Sequence, residues 1–167
     1  HTFVASAARN SFVVSLPDVL ETWVLPRLMR DLQELAPQVQ LASLRARRRE
    51  LEADLAGGRL DLAFDVLMPV APALLHSPLM EDRFVVVARA DHPVTLGEWG
   101  IEAYCKSRHI VVSSRRTGLS AEDFELSRLG YRRDIALRCS NQHVAWKTME
   151  NTDLLLTVPA RYAYTRE

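Results

Sequence analysis

The side chains best able to do chemistry in this chain are five histidines, His1, His76, His92, His109 and His143, and two cysteines, Cys105 and Cys139. Their spacing points away from catalysis and from metal binding. No histidine has a metal-ligating partner at helical spacing, and the cysteines lie far apart with no CxxC. The GxSxG, HExxH and glycine-rich phosphate-loop patterns are absent. A lone histidine is more often a surface or satisfied core residue than a catalyst, and isolated cysteines behave as small buried hydrophobes, reduced in the cytosol. The sequence therefore predicts no enzyme, no metal and no cofactor. Arginine is clustered at Arg45-Ala46-Arg47-Arg48-Arg49, Arg115-Arg116 and Arg132-Arg133. The plain reading of each cluster is a solvated surface, and Arg47 to Arg49 precede Glu50, Glu52 and Asp54, which can pair with them along a helix.

The best place for a ligand is a loop, Leu16 to Thr22. Before it, Phe12, Val13 and Val14 form a β-prone run. After it, Leu25, Leu28, Leu32 and Leu35 recur with the spacing of one helix face. Pro37 ends that helix, and Val39, Leu41 and Leu44 open a second strand. The three segments make a βαβ unit whose loop joins the carboxyl end of a strand to the amino end of a helix. Backbone N–H groups lack partners there, the helix dipole favours an anion, and sheets of this kind bind small molecules. Pro26 leaves two alternatives. If Thr22 caps the helix, Pro26 falls in the first turn; if the helix starts at Val19, a kink near Pro26 is expected.

Lysine plus arginine equals aspartate plus glutamate at 21 each, so the chain by itself is not built to hold nucleic acid through phosphate contacts. A hydrophobic content of 48% is enough for a real core in one domain or two small lobes. No run approaches the roughly 20 apolar residues of a membrane span, and the N-terminus lacks a signal-peptide pattern. A cytoplasmic location without membrane contact is expected.

Further along, Leu51 and Leu55 share a helix face closed by Gly57-Gly58, and Leu60 to Phe64 reads as a buried strand. The βαβαβ order predicts a mostly parallel sheet with helices on its faces. Pro69, Pro72 and Pro78 mark 66–78 as an extended linker. Phe84 to Ala88 is the strongest continuous strand, ending in a turn at Asp91-His92-Pro93. A lobe boundary is placed near residue 90, giving a first lobe over 1–90, with 1–10 as lead-in, and a second over 91–167. The second set comprises a weak helix over 98–107, a strand from Ile110 to Ser113, and a helix over 121–129 closed by Gly130. A strand from Ile135 to Cys139, a helix over 142–151 and a strand from Leu154 to Val158 follow, with Pro159 placed as the first helical residue of a last segment.

Read in order, the chain resembles the effector-binding domain of LysR-type transcriptional regulators, and within it the branch that responds to aromatic compounds. The resemblance rests on Asp18-Val19-Leu20-Glu21, Leu25-Pro26-Arg27-Leu28, Leu35-Ala36-Pro37-Gln38-Val39 and Gly58-Arg59-Leu60-Asp61-Leu62-Ala63. It continues through Leu79 to Val85, Asp91-His92-Pro93, Arg132 to Arg138, and Thr152 to Pro159. Each has a structural reason of its own: the leucines are helix core, Gly58 is a helix stop, Asp91-His92-Pro93 a turn. Two positions depart from the family's pattern. Pro17 stands where a Ser or Thr hydroxyl is common, and Asn141 where the branch often has histidine, with His143 two residues on.

The resemblance implies an α/β fold like the type 2 periplasmic binding proteins: two lobes with a small effector in the cleft between them, and a winged helix-turn-helix before them that reads DNA. Neither that DNA-binding segment nor the family's final crossover back to the first lobe is in this sequence, so the chain reads as a fragment. The implied effector site takes Pro17, Asp18, Val19, Asp65 and Val66 from the first lobe and Ser113, Ser114, Arg115, Asn141, Gln142 and His143 from the second. Arg115 or Arg116 would offer a carboxylate its fork. The expected effector is a small aromatic carboxylate or phenol, although Asp18 and Asp65 oppose an anion unless turned away or paired. The expected function is a sensor that passes effector binding to a DNA-binding head in a dimer or tetramer. The alternative is a solute-binding protein of a transport system, which shares the fold.

Overall fold

The computed structural model describes residues 4–66 and 72–165, which fall into two compact units, 1–81 and 82–167. Pro69, part of the expected linker, lies outside the described residues. The division comes after Glu81 and not near residue 90. The strand Phe84–Val87 pairs antiparallel with Leu154–Pro159, so it belongs to the later sheet.

The first unit runs β1 (Ser11–Ser15), α1 (Asp18–Leu35), β2 (Gln40–Leu44), α2 (Leu51–Ala56) and β3 (Leu62–Ala63). Its sheet has the order β2-β1-β3, all parallel, as the βαβαβ pattern requires. β3 is shorter than the apolar run Leu60 to Phe64. The Asp61 carboxylate accepts the Val13 N–H at 2.8 Å, so a side chain takes one rung of the ladder. α1 begins earlier than a Thr22 cap would allow: Pro17 is the residue before the helix, and Pro26 lies inside it. Thr22 does not cap; its hydroxyl donates to the Val19 carbonyl at 3.4 Å. Leu25, Leu28 and Leu32 are half-buried, but Leu35 is 65% exposed and Ala36 takes the buried position at 4%. The backbone leaves helical geometry at Ala36, with φ −148°, and Leu35, the last helical residue, is the exposed end of the stripe that sequence periodicity assigned to it.

The second unit runs β4 (Phe84–Val87), α3 (Ile101–Lys106), β5 (Arg108–Val112), α4 (Ala121–Arg128), β6 (Asp134–Cys139), α5 (Gln142–Glu150), β7 (Leu154–Pro159) and α6 (Ala160–Tyr164), with a 3-10 turn at Pro93–Leu96. The sheet order is β4-β7-β5-β6, antiparallel at β4-β7 and parallel elsewhere. Ile110, Leu155, Leu156, Val158 and Tyr162 are almost fully buried. The caps are legible chemistry. Ser120 and Asp123 form a reciprocal capping box on α4, and Gly130 ends it with φ +80°, a conformation that favours glycine. Pro159 precedes α6 as its cap residue and still belongs to β7, one position earlier than an N1 proline.

Candidate functional site

In the first unit the loops at the carboxyl ends of the strands hold an ordered set of ion pairs. Asp65, just after β3, receives one guanidinium edge of Arg48, Nε at 2.9 Å and Nη2 at 2.5 Å, and its Oδ1 also accepts the Val66 N–H at 2.8 Å. Asp18 opens α1 with Oδ1 accepting its neighbour Val19's N–H at 3.1 Å, and Arg45 approaches the same oxygen at 3.8 Å. Ser15 Oγ accepts the Ala46 N–H, and the Ser43 hydroxyl donates to Glu21. These bonds tie the segment after β2 across the end of the sheet. Arg48 therefore faces the acid at the tip of β3, while Arg47 and Arg49 pair with Glu50, and Asp54 takes Arg59. Helical pairing of all three arginines with the acids that follow them was only partly realised. The unpaired amides expected at the start of α1 are also partly occupied, since Val19 N–H goes to Asp18 and the Leu20 and Glu21 N–H groups bond the Pro17 carbonyl.

In the second unit, Ser113 follows β5 and its hydroxyl accepts the Arg115 N–H at 3.1 Å. The Arg115 guanidinium is folded back on its own loop, with Nη2 donating to the Leu119 carbonyl at 2.8 Å. Ser114 and Arg116 are exposed. Asn141 caps α5 by accepting the Val144 N–H at 3.1 Å, and its carbonyl receives the weak Cys139 thiol donor at 3.7 Å. Gln142 and His143 open that helix. Two further arginines prove to be structured: Arg138, which lay outside the arginine clusters, and Arg133, whose cluster was read as solvated surface but whose side chain is 1% exposed. Arg138, near the end of β6, donates Nη2 to the Gly118 carbonyl at 3.0 Å, and its Nη1 is buried without a hydrogen-bond partner among the described residues. Its signal was an arginine in the otherwise apolar run Ile135 to Cys139.

Arg133, whose side chain is 1% exposed, donates Nε to Asp123 at 2.6 Å, Nη2 to Ser120 Oγ at 3.0 Å and Nη1 to the Tyr104 hydroxyl at 2.7 Å. Burial works against its charge, yet the Asp123 hydrogen bond and the surrounding negative charge hold its pKa above the ordinary value. Burial likewise opposes the Asp123 charge, and the Arg133 and Ser120 hydrogen bonds overcome it, holding that carboxyl below its usual range. This is a structural centre that locks α3, α4 and the segment before β6 together.

Two α/β units, each with ligand-capable loops at the carboxyl ends of its strands, define the type 2 periplasmic-binding-protein-like class. The family model described as the LysR substrate binding domain matches residues 5–166, and the chain belongs to that family. It is 31% identical over 162 residues to the transcriptional activator NahR of Pseudomonas putida, covering 97% of this chain and 54% of that protein. To the activator NagR of a Ralstonia species it is 28% identical, again covering 97% and 54%. The chain thus spans about half the length of the curated relatives it matches. Among solved structures, the probable transcriptional regulator PA0477 of Pseudomonas aeruginosa superposes with a TM-score of 0.88 at 33% identity, covering 98% of this chain and 55% of that one. The effector-binding domain of BenM with its effector benzoate shares the fold, with a TM-score of 0.68 at 19% identity, covering 92% of this chain and 72% of that one.

Proposed function

We propose that this chain is the effector-sensing part of a LysR-type transcriptional regulator, acting in the cytoplasm as a dimer or tetramer through a DNA-binding segment elsewhere in the protein. It is a binding module and not a catalyst. The relatives NahR and NagR are transcriptional activators, which favours this reading over a solute-binding protein that serves a transporter. The effector is a small aromatic carboxylate or phenol. Its contacts are Pro17, Asp18, Val19, Asp65 and Val66 in the first unit and Ser113, Ser114, Arg115, Asn141, Gln142 and His143 in the second.

The observation that carries the anionic choice is the clamp on the acids. Asp65 is held by Arg48 and Asp18 faces Arg45, so the like charge that would oppose a carboxylate is neutralised by residues of the same loops. Arg115 spends Nη2 on the Leu119 carbonyl, which holds it on its own loop; Arg138, whose buried Nη1 has no hydrogen-bond partner among the described residues, is a second donor in the same loop region. Effector binding modulates transcription by differential affinity for two conformations, typically about 1 to 3 kcal/mol of coupling. Calorimetry of benzoate and salicylate against their amides tests it. Tighter binding of the acids is expected. Equal affinity for acid and amide overturns the anionic part, and no binding of any aromatic compound in the panel overturns the aromatic effector.

A further inference from the structure

The second unit holds a groove of about 610 Å³ that shares no lining residue with the effector loops. Its walls are aromatic: Phe84 on β4, Trp99 before α3, Tyr104 on α3 and Phe124 on α4, with Thr157 of β7 also lining it. Trp99 and Tyr104 meet edge to face, ring centres 6.3 Å apart, so one wall is fixed in orientation. Phe84, Trp99 and Phe124 are each more than half exposed, which is unusual for a cluster of large rings.

Charge decides what suits this groove. Its charged lining residues are Glu122 and Glu125, and no lysine or arginine is among the described lining. Glu125 is paired with Arg128 at 2.9 Å on the surface. Glu122 is different: its side chain is 19% exposed, and Arg133 comes only to 3.9 Å because Asp123 holds that guanidinium at 2.6 Å. One buried cation thus faces two carboxylates, and Glu122 carries the surplus negative charge into an aromatic cavity. Ring faces attract cations through their quadrupole, and a carboxylate at the same place adds to that attraction.

We propose that this groove binds an organic cation, an ammonium with an aromatic or apolar body, whose charged head sits between Glu122 and the Trp99 ring, the Tyr104 ring being already engaged by the Arg133 guanidinium, 5.8 Å from its centre, and by His109 at 4.4 Å. The apolar body lies along Phe84 and Phe124. The site is separate from the effector loops and stands whether or not the effector proves to be an aromatic acid.

The chain carrying 5-fluorotryptophan gives one fluorine resonance per tryptophan, and Trp99→Phe identifies the one in the groove. Benzyltrimethylammonium and 2-phenylethylammonium are titrated against 2-phenylethanol and phenylacetate. Saturable movement of the Trp99 resonance by the two cations is expected, weakened about tenfold in Glu122→Gln and also in Phe124→Ala, whose side chain is exposed. An unmoved Trp99 resonance, equal response to the alcohol or the acid, or undiminished binding in Glu122→Gln overturns the proposal. A Trp99 resonance that moves with protein concentration alone, and that the cations leave unchanged, assigns the groove to a second copy of the chain and overturns it as well. Phenylacetate bound elsewhere leaves Trp99 still, so the effector reading is judged separately.

Discussion

Arg133 and Tyr104, 29 residues apart in the chain, meet at the hydroxyl: Nη1 donates to it at 2.7 Å, and the guanidinium carbon lies 5.8 Å from the ring centre. The same ring packs against His109 with centres 4.4 Å apart and planes tilted by 59°, and its hydroxyl shares a hydrogen bond with Thr157. One arginine therefore joins α4, through Asp123, to α3 and the central sheet.

Replacing Arg133 with Met leaves the Asp123 carboxylate, 11% exposed, without its main partner. A loss of about 3–5 kcal/mol in urea unfolding is expected, with partial recovery in the double variant carrying Asp123→Asn. A loss under about 1 kcal/mol would show that Arg133 is not the organising charge.

His109 is fully buried, with Nε2 donating to the Tyr104 carbonyl at 2.7 Å and Nδ1 without a hydrogen-bond partner among the described residues. Burial lowers its pKa below the ordinary 6.5; the Tyr104 carbonyl opposes that shift, and Arg133 adds to it. Between the lowered folded value and the unfolded value, only the unfolded chain takes up the proton. Stability is therefore full above about pH 6.5 and falls as pH drops below it, until the folded form also protonates. Melting temperatures between pH 7.5 and 5 should decline in the wild type and decline less in His109→Gln. Equal slopes in the two would remove His109 as the cause.

Arg48→Ala frees Asp65 at the tip of β3. Because Arg48 is 53% exposed, the stability change is expected to stay within about 1 kcal/mol, but affinity for benzoate should fall relative to benzamide. Unchanged acid-to-amide selectivity by calorimetry would mean that the clamp does not serve the ligand.

Self-association is expected through the outer face of α1, where Met29 and Leu35 are exposed, and through the segment 79–89, where Leu79 is exposed. A symmetric pair buries the same patch on both copies. Leu35→Glu should shift light scattering toward the monomer, with a dissociation constant raised about tenfold or more. A wild-type chain that stays monomeric at millimolar concentration counts against the interface.

Local chemistry was enough for the elements. A β-prone run, alternation and helical periodicity placed β1, β2 and α1, and Gly130 marked the end of α4, because these depend on residues a few positions apart. The order of βα units also dictated the parallel sheet of the first unit. Contacts between distant residues were a different matter. Phe84 to Val87 reads as a strand in either lobe, and only its pairing with Leu154–Pro159 assigns it to the second. Clustered arginines look alike along the chain. Tertiary structure sent Arg48 to Asp65, turned Arg115 onto its own loop and buried Arg133 against Asp123 and Tyr104. A guanidinium on a long stem reaches several acids, and which one it meets is decided by strand and loop positions that no local pattern encodes.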